Sequence, residues 1–232
     1  MPDFFEIYRN QPRKYDALVS REDWQHNLLP ALERICVLDG AEVVELGAGT
    51  GRLTRLLAGR ARFVSAFDAS QPMLEVAAER LRQDGRTNWR TEVSDHRSVA
   101  ALDGSADIAV AGWTISSILV AEKRWGPGVG RALGEMRRVL KPGGHLIVIE
   151  TLGTGCETPR APEFLQPYYD YLDAHGFRMT WIRTDYRFDG WSEARDLAEF
   201  FFGLDPLTAL VEGDGGGVIL PECTGLWWQA SG

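Results

Sequence analysis

Three glycines in five positions, Gly47, Gly49 and Gly51, follow the short β-type run 42–46, with Ala48 between the first two. Glu45 precedes the first glycine by two residues. This pattern reads as a buried strand that breaks into a turn and opens a helix. Glycines let the backbone bend sharply there and approach a ligand with no Cβ in the way. The chemistry it supports is binding of a nucleotide-like ligand beyond the carboxyl end of a strand. The dinucleotide fingerprint would place its third glycine at position 52, where this chain has Arg52, and no Gly-Lys-Ser/Thr follows as a phosphate loop requires. No base is forced beside the glycines to neutralise a pyrophosphate, and an acid is close by. The turn therefore suits a cationic ligand better than an anionic one. Further along, Asp68 closes a second strand-like run, Asp95 and His96 follow a third, and Trp113 ends a fourth.

The elements that must position these residues follow from the periodicity. Leu53, Leu56 and Leu57 lie on one helical face after the glycine turn, up to Gly59. Residues 63–67 form a second strand. A helix from Pro72 turns Met73, Leu74, Ala77, Ala78 and Leu81 inward. Strands at 89–93 and 106–111 come next, then a helix over 127–140 with Val129, Leu133, Met136 and Leu140 on one stripe, stopped by residues 141–144. Residues 146–149 are wholly apolar, as a strand covered on both faces would be. Strands alternating with helices over 42–150 imply βαβ units and a parallel sheet. At the N-terminus, Ser20 to Asp23 reads as a capping box for a helix carrying Trp24, Leu28, Leu32 and Ile35. Beyond 150 we expect a helix at 163–175, a strand at 177–188, mostly helix over 192–212, and a last strand at 218–228 entered through the glycine-rich loop 213–217. With no helical crossover behind it, that last strand is expected antiparallel, at or near the sheet edge.

Glu-Leu-Gly-Ala-Gly-Thr-Gly at 45–51, Asp68 ending the next strand, and Leu-Lys-Pro-Gly-Gly at 140–144 before an apolar strand resemble, together and in this order, the class I S-adenosylmethionine-dependent methyltransferases of small-molecule type. The resemblance covers 42–150. It implies a Rossmann-like α/β fold: a seven-stranded, mostly parallel sheet with one antiparallel strand near the C-terminus and helices on both faces. The expected organisation is an N-terminal helical lid (1–40), an S-adenosylmethionine-binding core (41–150), and a C-terminal part (151–232) that completes the sheet and covers the substrate pocket. The implied cofactor is S-adenosyl-L-methionine. Gly47, Ala48, Gly49 and Gly51 would wrap its methionine and ribose portion, and Glu45 would hold its ammonium. Asp68 would accept both ribose hydroxyls, since two carboxylate oxygens match two adjacent donors. Ala69 and Met73 would flank the adenine, with Asp95 accepting from its amino group and His96 beside the ring. Trp113 would face the methionine end, and Tyr15 would reach the cofactor from the lid. The Asn/Asp-Pro-Pro-Tyr type motif of enzymes that methylate adenine or glutamine amides is missing at 111–114.

Composition narrows the partners. With 25 Lys+Arg against 33 Asp+Glu, the net charge of −8 argues against binding a nucleic-acid backbone or an anionic membrane. Three scattered cysteines, Cys36, Cys156 and Cys223, suggest neither a disulfide framework nor a zinc site, and point to a reducing cytoplasm. No signal peptide and no apolar run of membrane-spanning length is read in the sequence. Nineteen of the 24 aromatic residues fall outside 25–154. Among them Tyr8, Tyr15, Trp24, Tyr168, Tyr169, Trp191 and Phe200 to Phe202 could line an apolar, aromatic acceptor pocket, while Trp227 and Trp228 read as core. Of the four histidines, His145 reads as structural, His175 as a helix-end residue, His26 as a surface residue and His96 as a cofactor neighbour, so no catalytic residue is assigned. The expected activity is methyl transfer to a small organic acceptor. The alternatives are a non-catalytic sensor of the cofactor or its demethylated product, S-adenosylhomocysteine, and a nicotinamide oxidoreductase, which Arg52 at the third glycine position disfavours.

Overall fold

The computed structural model describes residues 3–213 and 215–231. Met1 and Pro2 of the expected N-terminal helical segment, Asp214 of the glycine-rich loop and Gly232 lie outside the described residues. The strands are, in chain order, β1 (Glu42–Leu46), β2 (Phe63–Asp68), β3 (Trp89–Val93), β4 (Ala106–Gly112), β5 (Leu140–Thr154), β6 (Arg178–Arg183), β7 (Tyr186–Phe188), β8 (Val211–Glu212), β9 (Val218–Leu220) and β10 (Glu222–Ala230). Seven of them form one sheet in the order β3-β2-β1-β4-β5-β10-β6. β10 runs antiparallel to both neighbours, and the other pairings in this sheet are parallel. The chain winds from β1 out to β3, then crosses back to β4 and winds the other way. The order therefore reverses between β1 and β4, and a crevice opens there beyond the carboxyl ends of the strands.

Side-chain alternation along these strands builds a core on each face. Val44, Leu46, Ala109, Ala111, Leu146 and Val148 pack with α7 (Gly126–Val139) and α8 (Gln166–Ala174). Val43, Val64, Ile108, Val110, Ile147 and Ile149 pack with α3 (Leu28–Glu33), α4 (Arg52–Leu57) and Leu81 of α5 (Gln71–Gln83). The seven-stranded, mostly parallel sheet with helices on both faces is thus the fold expected from the sequence. A third cluster joins Leu18 of α2 (Pro12–Val19) to α9 (Trp191–Phe202) and to a small sheet of order β7-β9-β8. That sheet carries α1 (Phe4–Asn10) and α2 indirectly, through α9, over the end of the main sheet where the crevice opens.

Three expectations change. Ser20 does not cap a helix: it ends α2, its hydroxyl donates to the Ala17 carbonyl, and residues 21–25 form turns. The N–H groups of Asp23 and Trp24 donate to the Thr184 and Asp185 carbonyls (3.2 and 3.4 Å), and Arg187 N–H donates to the Arg21 carbonyl (2.9 Å), so this backbone is committed elsewhere. Asp23 instead receives the N–H groups of Asn27 (2.8 Å) and Leu28 (3.1 Å) at the start of α3. The single strand expected over 177–188 divides into β6 and β7, which belong to different sheets, because those same turns hold Thr184 and Asp185. The last strand divides likewise, with β9 in the small sheet. β10 is antiparallel and near the sheet edge as expected, one strand in, between β5 and β6. Truncating fully buried Leu133 of α7 to alanine is expected to cost about 2–5 kcal/mol in urea denaturation through the cavity it leaves, without changing ligand affinity.

Candidate active site

β1 ends in the glycine turn, and all three of its glycines are left-handed, at φ 67, 57 and 84° for Gly47, Gly49 and Gly51. Two of them also lack space for a side chain. A Cβ on Gly47 would lie 2.1 Å from the Thr114 hydroxyl, and one on Gly51 would lie 2.9 Å from the Ala77 methyl. The turn is therefore pressed between the end of β4 and α5, with its backbone facing the crevice. Asp68 closes β2 and fixes this arrangement: its carboxylate receives the N–H of Gly49 (2.9 Å) and of Ser70 (2.8 Å). Burial raises the Asp68 carboxyl above its ordinary range, and those two N–H groups oppose the rise. Each oxygen keeps lone pairs for further donors.

The crevice closes into a cavity of about 380 Å³. Glu45, Gly47, Ala48, Gly49, Asp68, Ala69, Met73, His96, Trp113 and Tyr15, all expected at the site, line it. Glu45 is buried and its Oε2 has no hydrogen-bond partner among the described residues. Burial, reinforced by the Asp68 carboxylate, lifts its pKa to about 8, which keeps the carboxyl protonated at neutral pH. Burial lowers the His96 pKa, which keeps the imidazole neutral, and its Nε2 is likewise without a partner. Gly51 stands just behind the wall, against α5. Asp95 does not line the cavity. Its carboxylate is taken by the Arg97 guanidinium (2.6 Å), which holds it well below the usual carboxylate range, and Arg97 in turn pairs with Glu122 (2.6 Å). Its neighbours Ser94 and His96 reach the cavity instead.

The lid side is aromatic. Phe5 and Tyr8 of α1 and Tyr15 of α2 line the cavity, and Phe201 of α9 packs against Tyr8 and Tyr15 (ring centroids 6.4 and 5.2 Å apart). Burial pushes the Tyr15 phenol up to about 12, so it stays protonated. Several other aromatics grouped with this pocket lie elsewhere. Tyr168 and Tyr169 are core, with Tyr169 stacked on Trp227 at 4.6 Å, and Trp24 and Trp191 are exposed. Arg52, which in the sequence marks only the departure from the dinucleotide fingerprint, lines the cavity with its guanidinium 3.7 Å from the centre of the Trp113 ring and bonded to buried Glu22. Trp113 holds a left-handed backbone at φ 51°, unusual for an aromatic residue, and its N–H donates to the Ile149 carbonyl at 2.7 Å. A bulky side chain pressed against the glycine turn was the available signal for Arg52, since the helix following such a turn starts at the ligand.

This geometry can be set beside known proteins. The methyltransferase-domain family matches residues 43–144. The demethylmenaquinone methyltransferase of Tropheryma whipplei (strain Twist) is 30% identical over 139 residues, covering 60% of this chain and 51% of that protein. The demethylmenaquinone methyltransferase of Lactococcus lactis subsp. lactis is 30% identical over 175 residues, covering 72% of this chain and 64% of that protein. Residues 43–144 are thus similar to a methyltransferase domain, and the chain as a whole has the fold of the S-adenosylmethionine-dependent methyltransferases. It spans only about half the length of the first of these relatives. Among solved structures, a SAM-dependent methyltransferase from Aquifex aeolicus shares the methyltransferase fold with a TM-score of 0.55 at 18% identity, over 93% of this chain and 99% of that one. No helix among the described residues is long and apolar enough to cross a membrane, and none of their His, Cys, Asp or Glu residues form a group of three placed to hold a metal.

The buried carboxyls give this methyltransferase fold a definite pH response. Glu45 titrates near 8 and Glu150 near 7 when folded, both raised by burial, against about 4.5 in the unfolded chain. A raised carboxyl contributes stability below its unfolded value and loses it as pH climbs through the folded one. The melting temperature of the ligand-free protein is therefore expected to fall by several degrees between pH 5.5 and 8.5, and Glu45→Gln to flatten that fall, in thermal melts at constant ionic strength.

Proposed function

We propose that the protein transfers the methyl group of S-adenosylmethionine to a small organic acceptor. The observation that carries this reading is the cavity's fit to a cationic adenosyl ligand. Glu45 presents an unpartnered carboxyl oxygen in a buried wall, and the glycine turn, held against Thr114, lines the cavity with Gly47, Ala48 and Gly49. Asp68, already holding Gly49 and Ser70 in place, has lone pairs left for a ribose diol. Met73 and Ala69 supply apolar flanks for an adenine, and neutral His96 supplies an edge beside it. Asp95, committed to Arg97, bonds the adenine amino group in this reading only by giving up part of that pairing. Trp113 and the lid residue Tyr15 enclose the opposite end.

When bound, the cofactor supplies a methyl group already activated by its positive sulfur. The protein's own work is then alignment and exclusion of water, and orientation alone lowers a barrier by roughly 7–11 kcal/mol in favourable cases. Tyr8 and Tyr15 roof the cavity with phenols that stay protonated, and the Ser70 hydroxyl ties the roof down by donating to the Tyr8 carbonyl at 3.1 Å. Glu45 must lose its proton to meet an ammonium, so cofactor affinity rises with pH toward 8. The aromatic roof favours an acceptor with a flat apolar face. The relatives named for demethylmenaquinone add weight to a quinol-like acceptor, and the net charge of −8 weighs against nucleic acid.

Calorimetry is expected to show binding of S-adenosylmethionine and S-adenosylhomocysteine and none of nicotinamide adenine dinucleotide. Asp68→Ala should weaken the former by about 10- to 100-fold, as loss of charge-assisted hydrogen bonds implies. Incubation with methyl-labelled donor and a panel of phenols, quinols, amines and nucleic acids should label a small molecule. Label found only in nucleic acid, or a nicotinamide dinucleotide binding in place of the sulfonium, overturns the reading.

A further inference from the structure

The geometry points to Arg52 as the residue that binds the carboxylate of the cofactor's methionine end, so that Glu45 and Arg52 together form a clamp for an α-amino-acid zwitterion. The inference rests on the donor reading above and adds a selectivity to it. A buried acid and a half-buried base line one cavity, close enough that the Arg52 charge bears on Glu45, yet no ion pair joins them among the described residues. Glu45 Oε2 is left unpartnered in a buried wall. An acid and a base that line one cavity without pairing to each other match the ammonium and carboxylate of one amino acid.

The setting of Arg52 supports a ligand-facing role. Its flat face lies on the Trp113 ring, 3.7 Å from the ring centre, on a residue whose left-handed backbone is costly and must be held by its surroundings. One edge of its fork, through Nη1, is bonded to Glu22. That carboxylate also accepts from the Tyr186 phenol (2.7 Å) and the Thr184 hydroxyl (3.1 Å). Glu22 thus shares its charge among three donors, and it fixes the guanidinium's orientation without using its other N–H groups. Among the described residues, Nε and Nη2 of Arg52 have no hydrogen-bond partner. A planar fork held at one edge and stacked on a ring is preorganised to take a carboxylate at its free edge. Glu22 acts here as a positioning residue.

The test compares S-adenosylhomocysteine with its decarboxylated analogue, which keeps the ammonium and lacks the carboxylate. Wild-type protein is expected to bind the complete ligand about 10- to 100-fold more tightly in calorimetry, the range for a charged hydrogen-bonded pair. Arg52→Gln should abolish that preference while leaving the affinity for the decarboxylated analogue nearly unchanged. Arg52→Lys, which keeps the charge and loses the fork, should restore part of it. Because the readout is a ratio on one protein preparation, partial unfolding of a variant lowers the active fraction and leaves the ratio intact. Equal wild-type affinities, an equal loss for both ligands in Arg52→Gln, or an Arg52→Gln effect confined to the KM of the acceptor would each overturn the assignment. Failure of both ligands to bind wild-type protein would instead remove the donor reading itself, and the clamp with it.

Discussion

Residue 47 is where the fold and the site meet. The backbone there is left-handed, and the hydroxyl, Cβ and methyl of Thr114 occupy the volume a side chain would need. That contact lets the end of β4 lie directly against the turn after β1, across the point where strand order reverses. Once the two are in contact, the rest follows in sequence. Gly49 N–H is delivered to Asp68, Trp113 is forced into its left-handed conformation at the lip of β4, and α4 begins with Arg52 facing inward. A larger residue at 47 would separate the two strand ends and open each of these relations together.

The second theme is charge held in low dielectric. Burial keeps Glu45 and Glu150 protonated near neutrality, and the same effect raises the Glu222 carboxyl, helped by the like charge of Glu22. Such groups weaken the fold at alkaline pH. They are tolerable because each is hydrogen-bonded in part, as Glu150 is by the Ser116 N–H (3.0 Å) and hydroxyl (2.8 Å). Glu45 is the least satisfied of the two that face the crevice end of the sheet, and it is the one that stands in the cavity wall. An unsatisfied group in that place stores a preference for a cation.

The core of the fold was legible because its signals are local. The β-type run from 42, the glycines, and the 3.6-residue stripes of α5 and α7 each specify an element by themselves. Glu45, Asp68 and Trp113 line one cavity because strand ends in a parallel sheet converge on one crevice, and Met73 reaches it from the first turn of α5. What failed to show depended on distant partners. Ser20 to Asp23 has the chemistry of a helix start, but its backbone is claimed by residues 184–187, far along the chain. Asp95 follows its strand as expected, yet Arg97, two residues on, captures it. The division of 177–188 and of 218–228 between two sheets has no local mark either, since each half is an acceptable strand. Arg52 was visible as a residue but not as a ligand-facing one, because its orientation is set by Glu22 and Trp113 rather than by helical period.

The place of β10 bears on how the chain assembles. β6 is completed before the segment it pairs with, and until residues 222–230 are available neither β5 nor β6 has its neighbour on that side. A nascent chain would therefore hold an already useful cofactor crevice beside two bare strand edges, a species able to recruit foreign strands. Folding of the ligand site and protection from aggregation are thus separated in time, and residues 222–230 work as the fastener that closes the sheet.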